Sequence, residues 1–173
     1  MEIDSTVKGL VDVGFAHMKE ILLKGDEVLP LLIYYALENG HDAIFPVGGL
    51  ETLFTSDEWK KRLPAAIKAL WNRITSSKPG LKLVAVLMQS DAWAETVSDE
   101  EWEKTMKEGR KAPFTPKPGE QEALVIQVTL EDLNLLFQLP YVKGGGEIVF
   151  KEVIEKTESF SHRGARLSRL WPL

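Results

Sequence analysis

Four side chains in this sequence have the chemistry of acid–base catalysts or metal ligands: Glu27, His41, Asp91 and Glu122. Paired carboxylates can serve as general acid and base in a hydrolase, and carboxylates with an imidazole can hold a divalent metal. No pair has the spacing of a zinc-binding helix or a His-x-His strand, so from spacing we expect no metal and no cofactor. The fold would have to assemble such a site, and a pocket containing two or more of the four would favour a small-molecule hydrolase.

The segment from Lys143 to Gly146 invites comparison with a phosphate-binding loop, because it places a lysine beside three glycines. In a phosphate loop the lysine follows the glycines, a Ser or Thr comes next, and a helix begins there. Here the lysine comes first and the following segment, 147–154, has the composition of a strand. We therefore predict a hairpin turn, since glycine supplies the positive φ that short hairpin turns require.

The composition excludes several kinds of chemistry. The 173-residue chain has no cysteine, which rules out disulfides, thiolate nucleophiles and zinc–thiolate sites. Its net charge of -5 disfavours a broad nucleic-acid surface. The N-terminus lacks the basic and apolar regions of a secretory signal, and the apolar stretches are too short for a membrane span. We expect a cytoplasmic protein without membrane contact.

Basic and aromatic residues suggest contact surfaces. The tail 161–173 has no acidic residue and contains three arginines: Arg163, Arg166 and Arg169. Their guanidinium groups suit an anion or an acidic partner, or they pair with nearby acids while apolar side chains dock the tail on the core. Trp102, on a predicted short helix, and Trp171, in the tail, are the candidates for an aromatic contact surface.

Hydrophobic periodicity predicts the elements of structure. A first helix, capped by Asp4 or Ser5, covers about residues 6–24, and a second begins near Ser56 with a kink or break at Pro64. Strands are predicted at 28–37, 43–47, 81–88 and 122–130, followed by the hairpin. The predicted fold class is α+β: a mixed, mostly antiparallel sheet of five to six strands with two main helices packed on it, in the order α-β-β-α-β-(short α)-β-β-β.

We expect a single globular domain over 1–173, which is long enough for a full core. The strands at 28–37 and 81–88 are apolar on both faces, which predicts either helices on both sides of the sheet or a strongly curled sheet that wraps one helix. Pro46 indicates the edge or the end of a strand. The Pro- and Lys-rich segment 106–120 is expected to be a mobile loop, and 161–173 forms the Arg-rich tail.

The order of these signals resembles that of a set of uncharacterised bacterial proteins, through an acidic-x-x-Pro strand at 26–30, an apolar strand ending in Ala-Trp at 92–93 and a Glu-Ala-Leu strand at 122–124. More distantly, the opening helix, acidic residue, hairpin and second helix resemble the start of a JAB/MPN-type metalloprotease domain. That family's zinc site needs a His-x-His followed by Ser and Asp, where this chain has Met-Gln-Ser-Asp at 88–91. The resemblance implies the fold without the zinc ligands, so Glu27 would lack a metal to serve.

The sequence has the hydrophobic pattern of a complete core and no recognisable set of catalytic residues. This favours a non-catalytic binding or accessory protein, which would bind a protein partner or associate with itself. The alternative is a small-molecule hydrolase that uses carboxylates or a metal site assembled by the fold. A small-molecule ligand is an alternative to a protein partner, and nucleic acid is the least favoured partner.

Overall fold

The computed structural model describes residues 3–51, 59–94, 121–159 and 170–173. These ranges form two helices and seven strands, in the order α1 (Ser5–Leu23), β1 (Leu31–Glu38), β2 (His41–Val47), α2 (Trp59–Ser77), β3 (Leu81–Ala94), β4 (Gln121–Thr129), β5 (Leu133–Gly144), β6 (Glu147–Phe150) and β7 (Ile154–Ser159). The predicted short helix, the loop 106–120 and the tail up to residue 169 lie outside the described residues.

All seven strands belong to one sheet, with the order β2-β1-β3-β4-β5-β6, and β7 also pairs with β5. The predicted α+β class is confirmed. Every pairing among the described strands is antiparallel, so the parallel neighbours of a mixed sheet do not occur there. Local connectivity explains three of the six pairings: β1–β2, β4–β5 and β5–β6 join strands linked by two or three residues, and a parallel pair would need a long crossover.

The sheet has more strands than the expected five to six because Pro140 interrupts one edge. β6 pairs with residues 141–144 of β5, and β7 pairs with residues 133–138. Between them, 151–153 lie opposite two residues of β5, which is the count of a β-bulge. The Lys151 N–H donates to the Pro140 carbonyl at 2.8 Å. A strand residue directs its N–H and its C=O to the same side of the strand. The Pro140 carbonyl faces this edge, so the edge also lacks a donor at Pro140, and the ladder breaks there.

β2 forms the opposite edge, as Pro46 indicated. The β1–β2 turn consists of Asn39 and Gly40, with φ of 52° and 80°, and it joins the pair Glu38↔His41. In such a two-residue turn the flanking pair is hydrogen-bonded and the pairs then alternate along the ladder. By this count the backbone of Pro46 points away from β1, so its missing N–H removes a donor from the open edge and none from the sheet.

The two helices cover opposite faces of the sheet, which is the first of the two arrangements that the two-sided strands predicted. Side chains alternate along a strand, so the neighbours Tyr34 and Tyr35 enter different cores. The core under α1 takes helix residues Val7, Val11, Phe15, Met18 and Leu22 and, from the sheet, Tyr35, Ala85, Leu87, Leu124, Ile126, Leu135, Phe137, Leu139 and Tyr141. The core under α2 contains Leu63, Ile67 and Trp71 with Leu32, Tyr34, Ala36, Leu83, Val86 and Met88.

Side chains fix both helices in place. Asp4 caps α1, because its Oδ1 accepts from the N–H of Thr6 at 2.8 Å. α2 continues through Pro64, so of the predicted kink or break, the break does not occur. The Tyr34 hydroxyl donates to the Ile67 carbonyl of α2 at 2.6 Å, and the Tyr34 ring stacks on Trp71 with 5.4 Å between centroids. Burial and these contacts outweigh the hydrogen bond that a proline removes from a helix.

α1 packs closely on the sheet at Gly14. A Cβ atom at this position would lie 2.7 Å from Oε1 of Gln89 and 2.9 Å from Cδ1 of Ile126. Gln89 is a buried polar side chain under the helix, only 5% exposed. The missing side chain of Gly14 therefore lets α1 rest directly on β3 and β4.

We expect Gly14→Ala to lower the free energy of unfolding by about 1–3 kcal/mol, because the added methyl group overpacks this contact. Gly9→Ala is the matched control in the same helix, where nothing lies within 4 Å of an added Cβ. It should raise stability by up to ~1 kcal/mol, since alanine favours the helix over glycine. Urea unfolding followed by tryptophan fluorescence would measure both, and equal effects of the two changes would contradict the close contact.

Candidate functional site

The structure brings two of the four candidate acid–base residues together. Asp91 of β3 and Glu122 of β4 lie near one end of the sheet, where Glu122 pairs with Trp93. Glu27 lies in the link between α1 and β1. His41 lies at the other end of the sheet, because it flanks the β1–β2 turn. The fold thus assembles a pair of carboxylates and leaves the imidazole apart from them.

Tyr141 is the centre of this site. Its hydroxyl donates to the Asp91 carboxylate, with 2.8 Å to each oxygen. Tyr141 follows Leu139 by two residues on β5 and therefore shares its face, and it pairs with Glu122 across the β4–β5 ladder. Its side chain is 1% exposed. A buried phenol thus satisfies one carboxylate and lies beside the second.

Lys143 completes the group, which we call the Tyr141 cluster: Asp91, Glu122, Tyr141 and Lys143. The Lys143 Nζ lies 3.7 Å from Oε2 of Glu122 and 5.8 Å from the centroid of the Tyr141 ring. The lysine side chain is 55% exposed and that of Glu122 is 30% exposed, so this ion pair contributes little to stability. Its effect is to keep a cation beside the second carboxylate.

The surroundings of Tyr141 keep its phenol protonated. Burial raises the pKa of its phenol, the hydrogen bond to Asp91 raises it further, and the negative charges of Asp91 and Glu122 act in the same direction. A phenol with a raised pKa stays protonated at neutral pH and is a poorer general acid or base, since efficient proton transfer needs a pKa near the working pH. The cluster therefore resembles a structural hydrogen-bond network more than a set of activated catalytic groups.

The glycine hairpin lies next to the cluster. Gly144 pairs with Glu147, and Gly145 and Gly146 form the turn with φ of 60° and 80°. A strand follows the turn, so the hairpin prediction is confirmed and the phosphate-loop alternative is wrong. A shallow cleft of about 570 Å³ separates the turn from the end of α1, and Lys143, Asp26 and Glu147 line it together. Two acids beside one lysine do not make an anion site.

A second depression, which we call the α1 groove, runs between α1 and the bulged edge of the sheet. It measures about 600 Å³, and its lining residues are Asp12, Phe15, Ala16, Lys19, Glu20, Leu23, Lys24, Leu139 and Val153. Leu23 is 64% exposed and Val153 is 50% exposed. Leu23 and Val153 are therefore in contact with solvent, and they flank the apolar floor of the groove.

A similar tyrosine–carboxylate bond lies at the other end of α1. The Tyr35 hydroxyl donates to Oδ1 of Asp42 at 2.8 Å, and the Thr6 hydroxyl donates to Oδ2 of the same side chain at 3.3 Å. Burial and then the bond to Asp42 raise the pKa of Tyr35. These bonds tie the start of α1 to strand β2 and leave neighbouring His41 exposed.

The described end of the tail packs on the core under α2. Leu170 is buried, and Trp171 packs half-buried against the same core. The Leu170 N–H donates to the Thr129 hydroxyl at 3.4 Å, and that hydroxyl donates to Oδ1 of Asn134 at 2.5 Å. The candidate contact residues Trp102, Arg163, Arg166 and Arg169 lie outside the described residues.

Tyr141 was not among the residues singled out from the sequence. The alternation of β5 places Leu139, Tyr141 and Lys143 on one face, but this pattern also describes an ordinary core strand. The pairing of β3 with β4 brings in Asp91 and Glu122, and no short-range pattern fixes that register.

No protein-family model matches this chain, and neither a curated protein nor a solved structure shows significant similarity to it. The resemblances to uncharacterised bacterial proteins and to the JAB/MPN fold therefore stay predictions. Among the described residues there is no group of three or more His, Asp or Glu side chains that could hold a metal ion. Neither α1 nor α2 has both the length and the apolar character to cross a membrane.

We expect the folded protein to resist ionisation of its tyrosines. The chain has three, and the pKa of each is raised from the ordinary 10.0: Tyr34 by burial, Tyr35 and Tyr141 by burial and by their carboxylate partners. Ultraviolet titration should show less phenolate from the folded protein at about pH 10.5 than from free tyrosine, which is mostly ionised there. Denaturation should release the full signal of three residues.

The same shifts fix the sign of the pH dependence. The folded state holds these protons more tightly than the unfolded state, so their stabilising contribution is complete below about pH 10 and is lost as the pH rises further. Tyr141→Phe should make that loss less steep. Ionisation of all three tyrosines at the ordinary pH, with the fold intact, would contradict the buried and hydrogen-bonded phenols.

Proposed function

We propose that this chain is a non-catalytic binding protein, and that it binds a segment of a partner protein in the α1 groove. The observation that carries this proposal is the exposure of two large aliphatic side chains beside an apolar floor: Leu23 is 64% and Val153 is 50% exposed. Removing such surface from water stabilises a complex by roughly 25 cal/mol per Å². The groove therefore suits a ligand that supplies aliphatic side chains.

The charges around the groove favour a protein partner over a phosphate or a metal ion. Asp12 and Glu20 contribute two negative charges to its lining, and Lys19 and Lys24 contribute two positive charges. Lys24 is paired with Glu20 at 2.9 Å. A lining with balanced charges does not concentrate ions of either sign. An apolar floor with a mixed polar rim is the usual composition of a protein–protein interface.

The Tyr141 cluster supports the non-catalytic part of the proposal. Asp91 accepts two contacts from the Tyr141 hydroxyl, and Glu122 lies beside the ammonium group of Lys143. Neither carboxylate lines the cleft beside the glycine hairpin. Lys143 is the member of the Tyr141 cluster that lines this cleft. An acid–base pair would need access to a substrate in a pocket.

Leu23→Asp tests the binding proposal, because it places a charge at the side of the groove. Peptides selected from a displayed random library on the wild-type chain should lose affinity by about tenfold or more, equivalent to about 1.4 kcal/mol. Val13→Asp is the matched control: Val13 is 67% exposed on the same helix and does not line the groove. Calorimetry would measure both affinities. Equal losses in the two variants, or selected peptides insensitive to either, would contradict the proposal.

A small-molecule hydrolase is the second candidate, and the juxtaposition of Asp91 and Glu122 beside Tyr141 is the observation that favours it. A panel of chromogenic ester, phosphate and glycoside substrates separates the two functions. If the chain is a binding protein, we expect Asp91→Asn to leave any background hydrolysis unchanged. The control variant Asp132→Asn, at an exposed acid, should also leave it unchanged. Turnover that is lost in Asp91→Asn and kept in Asp132→Asn would establish the hydrolase instead.

A further inference from the structure

α2 is a basic helix in an acidic chain. Its sequence, Trp59–Ser77, contains no Asp or Glu, whereas the whole chain has a net charge of -5. The helix has five cationic residues: Lys60, Lys61, Arg62, Lys68 and Arg73. This concentration of positive charge is on one element, and the remainder of the chain is strongly acidic.

The outer face of α2 has small side chains along its centre. Leu63, Ile67 and Trp71 point into the core, which leaves the opposite side of the helix to solvent. At 100° per residue, the middle of that side is a line of four residues, all of them exposed: Ala65, Ala69, Asn72 and Ser76. Side chains of this size allow a second helix to approach closely.

Cations flank this line on both sides. The same helical spacing places Lys68 on one flank and Arg62 and Arg73 on the other, and all three are exposed. Elsewhere in the described chain, Lys24, Lys78 and Lys143 each have a carboxylate within 4 Å. The side chains of Lys68 and Arg73 have no ion pair or hydrogen bond to any residue that the structure describes.

We propose that the outer face of α2 docks an acidic helix of a partner protein. Its small central residues would contact the partner's backbone, while carboxylates on the two sides of the partner helix pair with Lys68 and Arg73. α2 is a rigid platform for this contact, because the Tyr34 hydroxyl and the Trp71 ring fix it to β1. Rigid elements lose little entropy on binding.

Charge and shape disfavour the other occupants. A second copy would bring the cationic flanks of two α2 helices together, which repel each other. A membrane-binding helix needs large apolar side chains on its outer face, and this face has alanine, asparagine and serine. A nucleic acid would meet phosphate-binding cations only on the flanks, and the acidic remainder of the chain would repel it.

The probe is a synthetic helical peptide with alanine along one face and glutamate on both sides of it, compared with the same peptide carrying glutamine. Low-salt titration of the full chain should show binding of the glutamate peptide and at least about tenfold weaker binding of the glutamine peptide. The double variant K68E/R73E should lose about tenfold or more in affinity. The control K8E/K151E changes the net charge equally at two exposed lysines outside α2 and should stay within about twofold.

A third variant separates helix docking from general attraction between charges. Ala69→Trp keeps every charge and fills the centre of the exposed face, so it should weaken the glutamate peptide while circular dichroism shows the fold unchanged. Four results would overturn the proposal: no peptide binding at low salt, equal losses in the two double variants, an unaffected Ala69→Trp, or tighter binding of duplex DNA or phosphatidylserine vesicles with the same sensitivity to K68E/R73E. None of these outcomes depends on the α1 groove, which lies on the opposite face of the sheet.

Discussion

Burial of β1 and β3 on both faces is the constraint on which the rest of the structure depends. Both strands present large side chains to each side, so that Tyr34 and Tyr35 enter separate cores. One helix cannot cover both faces of a sheet, and the chain therefore needs α1 on one side and α2 on the other. The positions of the helices then decide which surfaces remain open: the groove along α1 and the outer face of α2.

Much of this arrangement could be predicted from local patterns. Asn39-Gly40 specifies its turn because both positions need positive φ, and the two-sided apolar strands require cover on both faces. Alternation along β5 predicted the hairpin at Gly145-Gly146, against the phosphate-loop alternative. These features depend on residues that are close in sequence, which is where propensity and periodicity carry information.

The Tyr141 cluster could not be predicted in the same way. Asp91 and Tyr141 are 50 residues apart, and they meet only because the β3–β4 and β4–β5 registers place them on one face. Register between distant strands is set by the whole sheet, and no short motif specifies it. The division of the last strand into β6 and β7 was missed for a related reason: the N–H that Pro140 lacks affects a partner strand several residues later.

The two edges of the sheet have a consequence for how this protein can behave at high concentration. Pro46 leaves a gap in the donors of β2, and the bulge at 151–153 breaks the other edge. An uninterrupted edge is a template on which further chains add strand by strand, the first step toward fibrils. Because both edges are interrupted, we expect side chains to make the contacts with other molecules. The chemistry of the surface, and not main-chain pairing, would then select the partner.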